Sequence, residues 1–182
     1  MRLALVRICL LALGPALGLG IARFAYGLLL PMMKSDLGWS YSQAGWINTV
    51  NAIGYIVGAS TATTAARTLG SARTYGIGSL VTVACVLALG FTNNFAVLSF
   101  FRLLSGVSGA WIFVTGGVMT MALAAGQRHS SVAIGLFYAG AGFGLACTGV
   151  LVPQWLEKFG GENWRGVWLL LAAVGAIFGV AG

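Results

Sequence analysis

Two arginines stand inside apolar sequence. Arg23 lies within "GLGIARFAYGLLLP" and Arg102 within "LSFFRLLSGVSG". A guanidinium placed in the middle of a membrane helix costs about 2.5–3.5 kcal/mol on insertion scales, so it must be paired, face water or snorkel towards the headgroups. The chemistry open to such a group is to attract an anion or to bind backbone carbonyls, and the spacing leaves both readings open at each position. Other polar groups accompany them. Tyr26 follows Arg23 by one helical turn. Asn48, Asn51 and Tyr55 stand at i, i+3 and i+7, on one helix face. Trp111 and Tyr138 are aromatics with polar edges in later apolar runs. A polar face inside a bundle either lines a cavity or makes interhelical hydrogen bonds, and the set as a whole points to a cavity.

Bond-making chemistry has no support among these residues. Intramembrane catalysis needs paired acids, a histidine cluster, or a nucleophile beside a base. The three acids, Asp36, Glu157 and Glu162, all fall between the apolar runs, and so does the single histidine, His129. Cys9, Cys85 and Cys147 lie within runs at spacings that form no metal or redox motif, and read as small packing residues. Neither a metal nor a cofactor is implied, and the chain reads as a non-enzyme.

The elements that position these groups are set by composition. Of 182 residues, 59% are hydrophobic and 7% charged, with a mean hydropathy of +0.94. A soluble domain carries about 25% charged residues, so lipid must be the main solvent and partner here. The net charge of +7 is spread singly between apolar runs, with no basic stripe for nucleic acid. Long runs without alternation mean helices, since only helices and closed barrels satisfy their backbone in lipid. The expectation is an all-α polytopic protein with one domain, residues 1–182, and six transmembrane helices near 8–33, 41–66, 75–92, 95–125, 132–152 and 164–182. The first run continues past the signal-like "GIA" at 20–22, so it is read as an uncleaved helix.

Short loops join the runs. Ser40 and Gln43 form a capping box ahead of the second. Ladders of small residues spaced by four, with Gly54 and Gly58, Gly106, and Gly140 and Gly144 among them, mark faces where helices approach closely. Pro15 and Gly116-Gly117 are candidate kinks. Trp39, Trp46, Trp155, Trp164 and Trp168 sit near run ends, as an interfacial aromatic belt would. With a cytoplasmic N-terminus, Arg2, Arg7, Arg67, Arg73 and Arg128 lie inside, and Lys34, Lys158 and Arg165 outside. The positive-inside rule favours that orientation.

Several segments resemble the N-terminal half of a major facilitator superfamily transporter, in particular its YbfB-like bacterial branch. They are "ARFAYGLLLPMMKSDLGWSYSQAGWINTVNAIGYIVG", "FRLLSGVSGAWIFV", "FYAGAGFGLACTGVLVP" and "WRGVW". The resemblance implies a twelve-helix fold of two halves, each made of two inverted three-helix repeats, with the solute bound between the halves. It implies that this chain is one half, that the C-terminal half lies outside it, that the membrane is a bacterial inner membrane, and that the function is secondary transport of a small solute by alternating access. It also adds a proton-coupling role to the readings of Arg102. The loop between the second and third runs departs from the family pattern G-x-x-x-D-R-x-G-R-R. Aligned on Gly70, its acid position holds Arg67, and Arg73 falls just beyond the two basic positions. The residues expected to line the cavity are Arg23, Tyr26, Asn48, Asn51, Tyr55, Arg102, Trp111 and Tyr138, with an anionic solute as one candidate. A membrane scaffold or assembly protein that does not transport is the alternative.

Overall fold

The computed structural model describes residues 2–126 and 130–182, so Arg128 and His129 lie outside the described residues. The chain is helical almost throughout. The first rod is built from α1 (Arg2–Leu11), the short α2 (Leu13–Pro15), a π-helical stretch Ala16–Ile21 and α3 (Ala25–Asp36). Pro15 lacks an N–H and cannot continue the ordinary ladder. The wider turn that follows it passes Leu17, Gly18, Gly20 and Ile21 through the centre of the bundle. The remaining elements are α4 (Tyr41–Leu69), α5 (Ser71–Leu89), α6 (Phe95–Ala124), α7 (Ser130–Phe159), a 3₁₀ turn Gly161–Asn163 and α8 (Trp164–Ala181).

Among the described residues, five helical stretches are long and apolar enough to cross a membrane: Ala4–Asp36, Ser71–Leu89, Phe95–Ala124, Ser130–Phe159 and Gly161–Ala181. At 29 residues, α4 also has the length for a crossing, but its hydroxyls and amides keep it out of that group. Large apolar side chains such as Ile56, Leu80, Phe91 and Val180 point outward. An apolar exterior of this extent suits lipid, and the chain is a multi-pass membrane protein.

Turn chemistry sets the junctions. Ser40 Oγ accepts the Gln43 amide and Gln43 Oε1 accepts the Ser40 amide, so the start of α4 carries the capping box. Gly70, at φ 88°, separates α4 from α5 in a conformation that side chains oppose. At one end of the bundle Arg165 pairs with Asp36 at 3.0 Å and also donates to Asn93, while Trp164 donates to Asp36 at 2.9 Å. The α3–α4, α5–α6 and α7–α8 junctions therefore share one end. Gly182 lies beside Leu10 and Tyr75 at the other.

Small residues let backbones meet. A Cβ on Gly54 would overlap the Leu103 carbonyl, and one on Gly58 the Val107 carbonyl. One on Gly106 would overlap the Asn51 carbonyl. Those three residues bring α4 and α6 into direct contact. Gly140 and Gly144 do the same for α7 against the carbonyls of Ala12 and Ala16.

Two expectations fail. The α6 helix runs unbroken through Gly116-Gly117; instead of a kink, the bare backbone at Gly116 makes room for the Phe137 ring, which a Cβ would meet at 2.8 Å. Trp39, Trp164 and Trp168, expected near the interface, are buried in the protein, in one cluster with residues of α3, α4 and α8.

Candidate functional site

The polar residues of the first, second, fourth and fifth long helices fall into two layers. The inner layer centres on Arg102, whose side chain has 0% exposure. Its Nη1 donates to the Ala22 carbonyl and its Nε to the Ile47 carbonyl at 3.5 Å. Its guanidinium carbon stands 4.8 Å from the centre of the Tyr26 ring. Tyr26 is held in turn by its hydroxyl, which donates to the Ala44 carbonyl at 2.8 Å. The backbone carbonyl of Arg102 accepts the Asn51 amide at 2.8 Å and the Ser105 hydroxyl at 3.0 Å. Nη2 of Arg102 has no hydrogen-bond partner among the described residues.

The energetics account for this buried charge. Hydrogen bonds to charged groups contribute about 1.5–3 kcal/mol each, and a desolvated cation–π contact about 2 kcal/mol. Together they offset an insertion cost of about 2.5–3.5 kcal/mol. Among the described residues no carboxylate pairs with Arg102: Asp36 is taken up by Trp164 and Arg165.

The outer layer is different. The side chain of Arg23 is partly exposed, and the only partner of its guanidinium among the described residues is the Tyr55 ring, 5.2 Å away. Arg23 lines a cavity of about 260 Å³ with Phe24, Tyr26, Gly27, Leu30 and Asn48. Asn48 is exposed. Tyr55 lies within electrostatic reach of both Arg23 and Tyr138. Tyr138 is half exposed and stacks at 5.4 Å against both Phe113 and Phe137. Trp111 sits apart from the cavity and donates through Nε1 to Thr61 Oγ1 at 3.0 Å.

The eight sequence candidates therefore divide. Arg23, Asn48, Tyr55 and Tyr138 share the open face. Tyr26, Asn51 and Arg102 form the buried layer, with Tyr26 bridging to the cavity. Trp111 belongs to neither group. Arg67 is exposed in the last turn of α4 and Arg73 in the first turn of α5, around Gly70. Sequence reasoning missed Ser105 and Tyr75, which donates to the Leu11 carbonyl at 3.1 Å. Thr148, third in the small-residue ladder with Gly140 and Gly144, donates to the Gly20 carbonyl at 3.3 Å. The described residues contain no group of His, Cys, Asp and Glu able to hold a metal ion.

Fold and site together define a polytopic α-helical membrane protein whose apolar bundle opens a small cationic cavity on one face. Residues 15–181 match the family described as "Uncharacterised MFS-type transporter YbfB", and the chain belongs to that family. Among solved structures, the inward-open conformation of the xylose transporter XylE from E. coli superposes with a TM-score of 0.78 at 13% identity, over 97% of this chain and 47% of that one. The major facilitator superfamily proton:xylose symporter XylE bound to 6-bromo-6-deoxy-D-glucose gives a TM-score of 0.75 at 14% identity, over 98% of this chain and 43% of that one. Identities this low carry the fold alone. The chain spans less than half the length of either structure. No curated protein matches the sequence.

Proposed function

We propose that the chain is a six-helix half of a secondary transporter that moves a small solute by alternating access, working with a second half across the cavity face. The observation that carries this reading is Arg23: a guanidinium inside an apolar bundle, at a cavity, with only an aromatic ring for company. Arg102, by contrast, is buried and holds two backbone carbonyls through Nη1 and Nε. Arg23 is left for a solute, which an anionic group would suit, or for an acid of the second half. With α4 as the sixth crossing, the N-terminus is cytoplasmic and the membrane is the bacterial inner membrane, in line with the positive-inside rule.

An inverted-repeat architecture is supported by internal correspondence. Gly70 and Gly160 have nearly the same backbone, φ 88° and ψ 147° against φ 86° and ψ 151°. They stand ninety positions apart, at the α4–α5 and α7–α8 junctions. The same offset relates Gly54 to Gly144, each packed on the first rod of the opposite repeat. It also relates the Gly58–Ala110 contact to the Thr148–Gly20 hydrogen bond. Each second helix thus crosses the first helix of the other repeat, as inverted repeats require.

The xylose of the solved neighbours does not transfer to this chain. The test is a stabilisation screen of the intact protein against small solutes, followed by counterflow of the binders in proteoliposomes. The reading expects at least one binder to exchange across the membrane. Binders that never exchange would overturn transport and leave a binding or scaffold protein.

A further inference from the structure

Arg102 grips the chain at two places, and each lies one residue before a cavity side chain. Ala22, the acceptor of Nη1, precedes Arg23. Ile47, the acceptor of Nε, precedes Asn48. The third hold is on Tyr26, another residue of the cavity wall. Asn51 and Ser105 anchor the backbone of Arg102 itself. One buried side chain therefore couples the first rod, α4 and α6 at the level of the cavity.

The cavity offers one planar cationic fork from Arg23 and one neutral amide from Asn48. The rest of the wall is apolar or aromatic: Phe24, Gly27, Leu30 and the Tyr26 ring. A single guanidinium matches a carboxylate bidentately. Among the described residues Arg23 is the one cation lining the cavity, since Arg102 is buried beneath Tyr26 with Nη1 and Nε on carbonyls. Arg102 still stands within electrostatic reach of Arg23, so the two like charges raise the pull on a single anion. A volume of about 260 Å³ takes a small solute.

We propose that Arg23 and Asn48 form a subsite for a monocarboxylate with an apolar body, and that Arg102 is its positioning residue, fixing both from behind. The proposal rests on the transport reading for its biological use, but its chemistry is tested by binding alone. The intact protein in nanodiscs is titrated with pentanoate, hexanoate and benzoate, with their primary amides, and with inorganic phosphate.

The expected result is that at least one carboxylate binds, tenfold or more tighter than its amide, and that phosphate does not compete. Arg23→Gln removes that preference. Arg102→Gln and Asn51→Ala lower the carboxylate-to-amide ratio in folded protein, and Arg102→Lys restores part of it. Asn51→Ala keeps every charge and removes the amide that holds the Arg102 carbonyl and the Ser105 hydroxyl, so it stands as the test where Arg102→Gln does not fold. A purely structural Arg102 would lower stability and leave the ratio unchanged, and that outcome overturns the positioning role. Equal binding of acids and amides, binding by none of the acids, or stronger binding of phosphate overturns the subsite. Carboxylate binding without counterflow would retain the subsite and overturn transport, whereas counterflow indifferent to the carboxylate would do the reverse.

Discussion

Nη1 of Arg102 donates to the carbonyl oxygen of Ala22, the residue immediately before Arg23. Two arginines that look alike in the sequence thus meet at one point in the fold and do different work. One is an internal brace, and the other is left open to the cavity.

Their neutralised variants should behave differently. Arg102→Gln removes bonds to two carbonyls and the contact with Tyr26. A loss of about 2 kcal/mol corresponds to about 4–8 °C in a domain of this size. The melting temperature of purified Arg102→Gln protein should fall by about that amount. Arg23→Gln should melt with the wild type. A large stability loss in Arg23→Gln, or none in Arg102→Gln, would reverse the two assignments.

The glycine contacts make a second pair of opposed outcomes. Gly54→Val and Gly140→Val would drive side chains into the backbones of α6 and the first rod. Overpacking costs about 1–3 kcal/mol or more when a rigid backbone is the obstacle. Gly45 and Gly142 have no atom within 4 Å of a built Cβ. Gly45→Val and Gly142→Val should therefore give monodisperse protein on fluorescence-detected size exclusion, and the first two should not.

Where the α3–α4, α5–α6 and α7–α8 junctions meet, Asp36 and Arg165 are 38% and 35% exposed. An ion pair this open contributes about 1 kcal/mol or less and weakens with salt. Asp36→Asn keeps an oxygen that can accept from Trp164, so its melting temperature should drop by about 2–4 °C at most. A fall several times larger would mean that this cluster, and not the α4–α6 interface, holds the bundle together.

Much of the helical plan was legible because lipid imposes a simple demand: long apolar runs with internally satisfied backbone. The capping box at Ser40 was legible for the same local reason, since both partners lie within one turn. The division of polar residues was not. Asn48 and Asn51 are one turn apart on one face of α4, yet Asn51 is buried against Arg102 and Asn48 is exposed. Spacing places both on a stripe but says nothing of where the neighbouring helix ends and the cavity begins. The tryptophans misled for a related reason. Position near a helix end suggests exposure at the interface, but Trp164 and Trp168 are buried against residues of other helices, which spacing along the chain does not reveal. Gly116 read as a possible break because its partner, the Phe137 ring, lies in another helix. Arg23 and Arg102 could not be separated at all until the carbonyls of Ala22 and Ile47 were in place beside one of them.

Arg23, Asn48 and Tyr55 face water in a cavity, while Asn51 and Ser105 lie sealed behind it. Single cysteines at these five positions, in an otherwise cysteine-free intact protein, test it with a water-soluble methanethiosulfonate reagent, which modifies thiols that ionise in water. Labelling should be rapid at positions 23, 48 and 55 and absent at 51 and 105. Absence of labelling at 23, 48 and 55 would put that face against lipid, make Arg23 a snorkelling residue, and contradict the cavity on which the proposed function stands.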